Sequence, residues 1–126
     1  MSMSGYRVSA QIAVSDLAKA AEFYEGKLGL SAGAGTGDSR AYPCGAGTIL
    51  LVYASPANAG KSTATVANWE VANIEQVVDD LTANGVTFEQ YGDPVPTDEK
   101  GIHYTGYSKI AWFKDPDGNT FEVAQT

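Results

Sequence analysis

The chain has 126 residues, which is enough for one domain with a hydrophobic core and too few for two ordinary domains. Hydrophobic residues make up 44% and charged residues 18%, and this balance excludes a disordered or fibrous class. The formal net charge of −7 opposes binding to nucleic acid or to an anionic membrane, so we expect neither partner.

The start of the chain contains no basic region followed by an apolar segment, and no stretch approaches the run of about 20 apolar residues that spans a bilayer. We therefore expect a cytoplasmic location. The single cysteine, Cys44, excludes an internal disulfide and a cysteine-based zinc site, and a structural thiol is expected there.

The first predicted elements are a strand at 7–14 and a helix that follows it. Alternation places Val8, Ala10, Ile12 and Val14 on one face of the strand and Ser9, Gln11 and Ala13 on the other. Asp16 stands where a helix N-cap belongs and Gly29 where the helix ends. Between them, Leu17, Ala20, Ala21, Tyr24 and Leu28 form the predicted apolar face.

The second half repeats this scheme 57 residues later. A strand at 65–71 leads to Asn73 as N-cap, Gln76 stands in a position like that of a capping box, and Gly85 ends the helix. The apolar face of this helix contains Ile74, Val77, Val78 and Leu81. The shift aligns Ser9 with Val66 and Asp16 with Asn73.

Further strands are predicted at 39–45, 47–54, 86–91, 104–114 and 119–125. The chain is therefore expected to be an α+β protein with two β-α-β-β(-β) units, in one domain over 1–126 with modules at about 5–56 and 63–126. Aligning 47–53 with 119–125 places Leu50 opposite Glu122. The glycine-rich stretches at 32–37 and 59–62 are predicted to be surface loops.

The strand faces that do not pack on the helices carry both polar and apolar residues. Such a mixture suits a ligand cavity, and solvent exposure would give the same pattern. Trp69 and Tyr53 are predicted to pack on the helix side, whereas one or two rings among Tyr104, Tyr107, Trp112 and Phe113 are expected at a pocket.

The segments 12–30, 69–86 and 111–125 together resemble the vicinal oxygen chelate superfamily, which contains glyoxalase I, extradiol dioxygenases, fosfomycin-resistance enzymes and bleomycin-resistance binding proteins. The resemblance covers nearly the whole chain. It implies paired βαβββ modules that form a U-shaped mixed sheet around a cavity, and homodimers are common in chains of this length.

Enzymes of this superfamily hold a divalent metal with His, Gln or Glu from four strands. The corresponding positions here are Ser9, Leu50, Val66 and Glu122, and only Glu122 is a metal ligand of that kind. One carboxylate does not hold a metal that needs four to six ligands, so we expect no metal and no cofactor. A displaced site that uses Gln11 is the alternative.

Glu122 is interpreted either as a ligand contact or general base in the cavity, or as a scaffold residue that binds Gln11 or Asn68. His103 lies in a long connection at 92–106, where it could pair with Asp98 or Glu99 or be an ordinary surface residue. The catalytic residues of an enzyme would be Glu122 and His103. The predicted ligand-binding residues are Ser9, Gln11, Leu50, Val66, Asn68, Tyr104, Trp112 and Glu122.

The sequence thus favours a metal-independent, homodimeric protein that binds a hydrophobic or aromatic small molecule, which is neutral or cationic. The alternative is a lyase, isomerase or dioxygenase-type enzyme with an unusual metal site or acid-base site. A module that binds a peptide on its concave face is a third hypothesis.

Overall fold

The computed structural model describes residues 1–126 and contains two four-stranded sheets and two helices. The elements are β1 Ala10–Val14, α1 Leu17–Ala21, β2 Gly35–Thr36, β3 Ser39–Pro43, β4 Ile49–Ala54, β5 Thr65–Glu70, α2 Ile74–Ala83, β6 Ile102–Tyr104, β7 Lys109–Lys114 and β8 Thr120–Gln125. A π-helical segment, Glu22–Lys27, continues α1, and short 3₁₀ turns lie at Met3–Gly5 and Gly45–Gly47. Neither helix has both the length and the apolar composition that crossing a bilayer requires.

The two sheets have the same topology. Sheet one has the strand order β1-β4-β3-β2, and sheet two has the order β5-β8-β7-β6. In each sheet the strand before the helix is parallel to the last strand of the unit, and all other pairs are antiparallel. The predicted α+β fold of two repeated units is confirmed.

Both helices begin at the predicted caps. The Asp16 carboxylate accepts hydrogen bonds from the backbone N–H groups of Ala18 and Lys19, and the Asn73 side chain accepts one from Gln76. These bonds satisfy donors that the first turn of a helix leaves free. Gln76 does not complete a capping box, because its amide instead donates to Asp80.

The helix-facing sides of both sheets share one hydrophobic core. The Tyr24 ring shows this directly, because it stacks on Tyr42 of sheet one and meets Phe121 of sheet two edge-on, with both pairs of centroids 5.9 Å apart. Phe23 also contacts Phe113 of sheet two. We call the sheet faces that line this core the inner faces and the opposite ones the outer faces. Each outer face points away from the shared core.

The turn at 115–119 joins the two halves. The buried Asp115 carboxylate accepts a 2.6 Å hydrogen bond from the Tyr24 hydroxyl and another from the Asn119 amide. That amide also donates to the Ala13 carbonyl oxygen, and the Asn119 oxygen accepts from the Gly60 N–H. The turn therefore fixes the start of β8 against the first half of the chain.

Three strand predictions need correction. The segment 104–114 is a hairpin of β6 and β7 and not a single strand, because Thr105 and Ser108 close a turn between them. The segment 86–91 forms only an isolated bridge between Phe88 and Phe113. The stretch at 32–37, predicted to be a loop, contributes the short strand β2.

The predicted alignment of Leu50 with Glu122 is wrong by one residue. Gln11 pairs with Leu51 in sheet one, and Asn68, which is 57 residues after Gln11, pairs with Glu122 in sheet two. Leu51 is therefore the counterpart of Glu122. Leu50 is 3% exposed and belongs to the core. Alternation could not reveal the face, because nearly every residue of β4 is apolar.

Candidate functional site

Glu122 lies in the middle of the outer face of sheet two. Its cross-strand neighbours are Asn68 on β5 and Trp112 on β7. Its chain neighbours Phe121 and Val123 are buried on the inner face, as the sequence predicts, while Glu122 is half-buried. Strict alternation along β8 thus presents one carboxylate between an amide and an indole ring.

The surroundings of Glu122 favour its protonated form. Partial burial raises the pKa of the Glu122 carboxyl above its ordinary value, because the charged form loses hydration there. The Trp112 side chain acts in the opposite direction, and the negative charge of Glu70 raises this pKa further. Asn68 does not offset the effect, because its amide donates to Glu70 at 3.2 Å. A half-buried carboxyl group with a raised pKa, such as that of Glu122, can accept a hydrogen bond or bind a cation.

An aromatic group stands beside Glu122. The Trp112 ring meets Tyr91 edge-on at 5.6 Å between centroids and lies 6.3 Å from the His103 ring. Tyr91 was not predicted from the sequence, since it lies in an irregular segment where no periodicity indicates which face it occupies. Flat rings beside a carboxylate provide a surface on which an aromatic or cationic molecule can stack.

His103 is part of strand β6 and not of a loop. Its Nδ1 atom lies 2.8 Å from the Pro96 carbonyl oxygen, and because a carbonyl only accepts, Nδ1 carries the proton in neutral histidine and Nε2 is the acceptor. The proposed pair with Asp98 is wrong, since that carboxylate accepts from the N–H groups of Lys100 and Ile102. His103 pairs with Ile110 of β7, whereas Glu122 pairs with Trp112, so two strand spacings of about 10 Å and an offset of two residues along the strand separate His103 from Glu122.

A cleft of about 720 Å³ opens between the facing edges of β1 and β5. This volume is within the range of about 300–1,000 Å³ that is typical of small-molecule sites. Three of the predicted ligand-binding residues, Ser9, Leu50 and Asn68, line it together with Cys44 and Glu70. Asn68 belongs both to the cleft and to the row that contains Glu122, so the two features adjoin.

The outer face of sheet one has no charged strand residue. Gln11 is exposed on it, and the pairing register places Leu51 and Tyr53 beside Gln11 and Ala13. Tyr53 was predicted on the helix side, and the one-residue error in the alignment of β4 explains that correction. This face is therefore mainly apolar, with an amide and one phenol ring.

Tyr104 and Val66, two other predicted site residues, lie on different faces of sheet two. Tyr104 alternates with the outer-face residue His103 and so lies on the helix side, where its hydroxyl donates to Asp98 and Lys109 Nζ lies 5.8 Å from its ring. Tyr104 therefore does not share the face of Glu122, and its role in ligand binding stays a prediction. Val66 stands two residues before Asn68 and therefore lies on the same, outer face of β5. It is 37% exposed and adjoins a bulge in this strand.

The metal set implied by the resemblance does not fit these residues. With the alignment corrected, the four positions carry Ser9, Leu51, Val66 and Glu122, and two of the four are alkyl side chains. Within the chain no three His, Cys, Asp or Glu side chains come together in a group that could hold a metal ion. Gln11, the residue of the displaced alternative, lies on the other sheet from Glu122.

The chain belongs to the Glyoxalase/Bleomycin resistance protein/Dioxygenase superfamily, whose family model matches residues 7–123. The resemblance inferred from the sequence is thereby confirmed. No curated protein sequence matches the chain.

Several solved structures are similar to the chain. One is TnmS3, an antibiotic binding protein from Streptomyces sp. CB03234, with a TM-score of 0.68 and 22% identity over 95% of this chain and 96% of that one. A second is FosX, a genomically encoded fosfomycin resistance protein from Listeria monocytogenes, with a TM-score of 0.69 and 14% identity over 96% and 93%. A third is a glyoxalase/bleomycin resistance protein from Catenulispora acidiphila, with a TM-score of 0.69 and 18% identity over 95% and 97%. At these identities the likeness establishes the fold alone.

Proposed function

We propose that this protein binds a hydrophobic or aromatic small molecule without a metal ion, on the outer-face surface around Glu122 and Trp112 and in the adjoining cleft. One observation carries the proposal. Of the four sheet positions where enzymes of the superfamily hold their metal, only Glu122 has a metal-ligating side chain. The antibiotic-binding function of TnmS3, which has the same fold, supports this class.

A second copy of the chain completes the site in this proposal. The outer face of sheet one is mainly apolar and uncharged, so it would bring no like charge against Glu122 and Glu70 of sheet two. Because both face away from the shared core, sheet one of one copy would cover sheet two of another. Sedimentation velocity should show a dimer at micromolar concentration, and a monomer throughout would contradict this arrangement. The one-domain boundaries and the cytoplasmic location stay predictions.

The charges at the site favour a neutral or cationic ligand. Glu122 and Glu70 are the carboxylates of the outer face of sheet two, and Lys114, the cation of β7 on that face, already lies 3.6 Å from Glu89. A bound cation would relieve the repulsion between the two carboxylates, and a ring would stack on Trp112.

Two matched dyes test this assignment. Acridine is neutral at slightly alkaline pH, whereas 9-aminoacridine is a cation of almost the same shape. In a Trp69→Phe background, which keeps an aromatic ring where Trp69 lines the cleft, the remaining tryptophan, Trp112, reports binding through quenching of its fluorescence. We expect both dyes to bind, the cation more tightly. Glu122→Gln should weaken the cation about tenfold, equivalent to about 1.4 kcal/mol, and change acridine by less than about twofold.

Two results with these dyes would contradict the proposed assignment of the ligand. If neither dye quenches Trp112, the proposed surface does not bind aromatic molecules. If the preference for the cation persists in Glu122→Gln, the carboxylate does not select the ligand.

The raised pKa of Glu122 favours a second candidate, an enzyme that uses this carboxyl as a general base. The two candidates differ in what happens to the bound compound. Mass spectrometry of ligand recovered after long incubation should return it unchanged from a binding protein. A changed mass that disappears in Glu122→Gln, with ligand affinity kept, would establish the enzyme.

A further inference from the structure

A separate apolar cavity lies on the inner side of sheet two. Its volume is about 180 Å³, and all eight residues that line it are hydrophobic. Leu28 and Leu30, which follow the first helix, form one wall, and Val77 and Leu81 of α2 form another. Trp69 contributes from the sheet.

The lining residues decide what this cavity can hold. A buried water molecule needs two to four polar partners, and no polar side chain is present among the lining residues. An apolar protein cavity of about 150 Å³ is known to stay dry and to accept benzene or xenon. The present cavity has a similar size and an apolar lining, but one side of it is open to solvent. An uncharged monocyclic compound of benzene size therefore fits it, and a charged one does not.

An entry route is also present. The residues on the helix side of the cavity, Leu30, Val77 and Leu81, are half-buried, whereas Phe113 and Val123 on the sheet side are 1% and 2% exposed. The opening therefore lies on the side of Leu30 and α2, away from Phe113 and Val123. A small molecule can reach the cavity there through side-chain movements of flexible leucines.

The cavity is distinct from the surface around Glu122. Trp69, Phe113 and Val123 line it, and each is the direct chain neighbour of an outer-face residue, Asn68, Trp112 and Glu122 respectively. The two sites thus lie back to back on opposite faces of one sheet. Trp69 also lines the cleft between β1 and β5, so the cavity and the cleft share this one residue. We propose that the inner cavity is a second binding site, for a small uncharged apolar molecule.

Benzene is the probe for this proposal, and the two tryptophans are its reporters. In methyl and indole NMR spectra, benzene should cause saturable shifts at Leu30, Val77 and Leu81 and at the Trp69 indole N–H. The Trp112 indole N–H, which belongs to the outer face, should move much less. Shifts that increase without saturation, or that affect both indoles equally, would overturn the proposal.

Two substitutions change the cavity in opposite directions. Leu81→Phe fills it and should weaken benzene binding at least about tenfold. Val77→Ala enlarges it and should improve the binding of p-xylene relative to benzene, which keeps a test available if Leu81→Phe does not fold. Ala83→Phe is the matched control, because it adds the same ring at an exposed position of α2 and should leave benzene binding unchanged.

Dilution of the protein separates a ligand cavity from a subunit contact. Without benzene, the methyl shifts of Leu30, Val77 and Leu81 should stay constant as the protein is diluted. Shifts that change with dilution would show that a second copy covers the opening, and the proposal would then fail.

Discussion

At the scale of single residues, two acidic groups from neighbouring segments have different surroundings. Asp115 is buried but accepts hydrogen bonds from Tyr24, Asn119 and the Asp117 N–H, so its lone pairs are used in joining the two halves. Glu122 is less buried, and this partial burial raises the pKa of its carboxyl group, although the Trp112 side chain acts in the opposite direction. Asp115 is a structural residue, and Glu122 is available to a ligand.

The raised pKa of Glu122 predicts a pH dependence of stability. A carboxyl group whose folded-state pKa is raised binds its proton more tightly in the folded state, so its stabilising contribution is present below the unfolded pKa and is lost as pH rises through the folded pKa. The free energy of unfolding of the wild type should therefore fall relative to that of Glu122→Gln across this acidic range.

Urea denaturation at a series of pH values measures this difference. Glu70→Gln provides the matched comparison, because removing the Glu70 charge should lower the pKa of Glu122. Carbon NMR of the Glu122 carboxyl group measures this pKa directly. A Glu122 pKa at or below the ordinary carboxyl value would contradict the electrostatic description of the site.

At the scale of elements, predictions from the sequence succeeded where local chemistry decides the structure. The caps Asp16 and Asn73 act within their own first turns, and Gly29 and Gly85 have positive φ angles of 74° and 99° where the helices end. The alternation of β8 was readable because one carboxylate interrupts its apolar residues. In each case the residues that determine the element are only a few positions apart in the sequence.

Other elements depend on contacts that the local sequence does not encode. β4 is apolar on both faces, so only its pairing with β1 reveals that Leu50 is inside and Leu51 outside. In the segment 104–114, Gly106 has a φ of 98° and is the one residue that could have predicted the turn between β6 and β7. The position of Tyr91 beside Trp112 depends on the irregular segment after Phe88.

The loop that contains Gly60 provides a test at this scale. Gly60 has a φ of 63°, and an added Cβ would overlap the Asp117 carbonyl oxygen in the turn that joins the two halves. Gly60→Ala should therefore lower the free energy of unfolding by at least about 2 kcal/mol.

Gly37→Ala is the control for this substitution. Gly37 also lies in a surface loop, but it has open space around it and no positive φ, so the change should cost less than about 0.5 kcal/mol. Urea midpoints measure both variants. Equal effects would show that the loop does not pack against the turn.

At the scale of the whole molecule, the shared core determines how a site can form. Tyr24 packs between the two sheets, so their inner faces are used in folding and their outer faces remain for binding. The outer face of sheet two provides the carboxylate and the aromatic rings, and that of sheet one provides an uncharged cover. Repetition of the β-α-β-β-β unit thus generates two different surfaces from one scaffold, because their side chains have diverged.

The central claim is that the outer-face surface binds an organic molecule without a metal ion. The most direct measurement is the affinity of 9-aminoacridine for protein treated with a chelator, with its metal content determined by elemental analysis, before and after addition of zinc, nickel, iron or manganese. We predict the same affinity in every case and far less than one metal ion per chain. About one tightly held metal ion per chain, with binding that requires it, would contradict the claim.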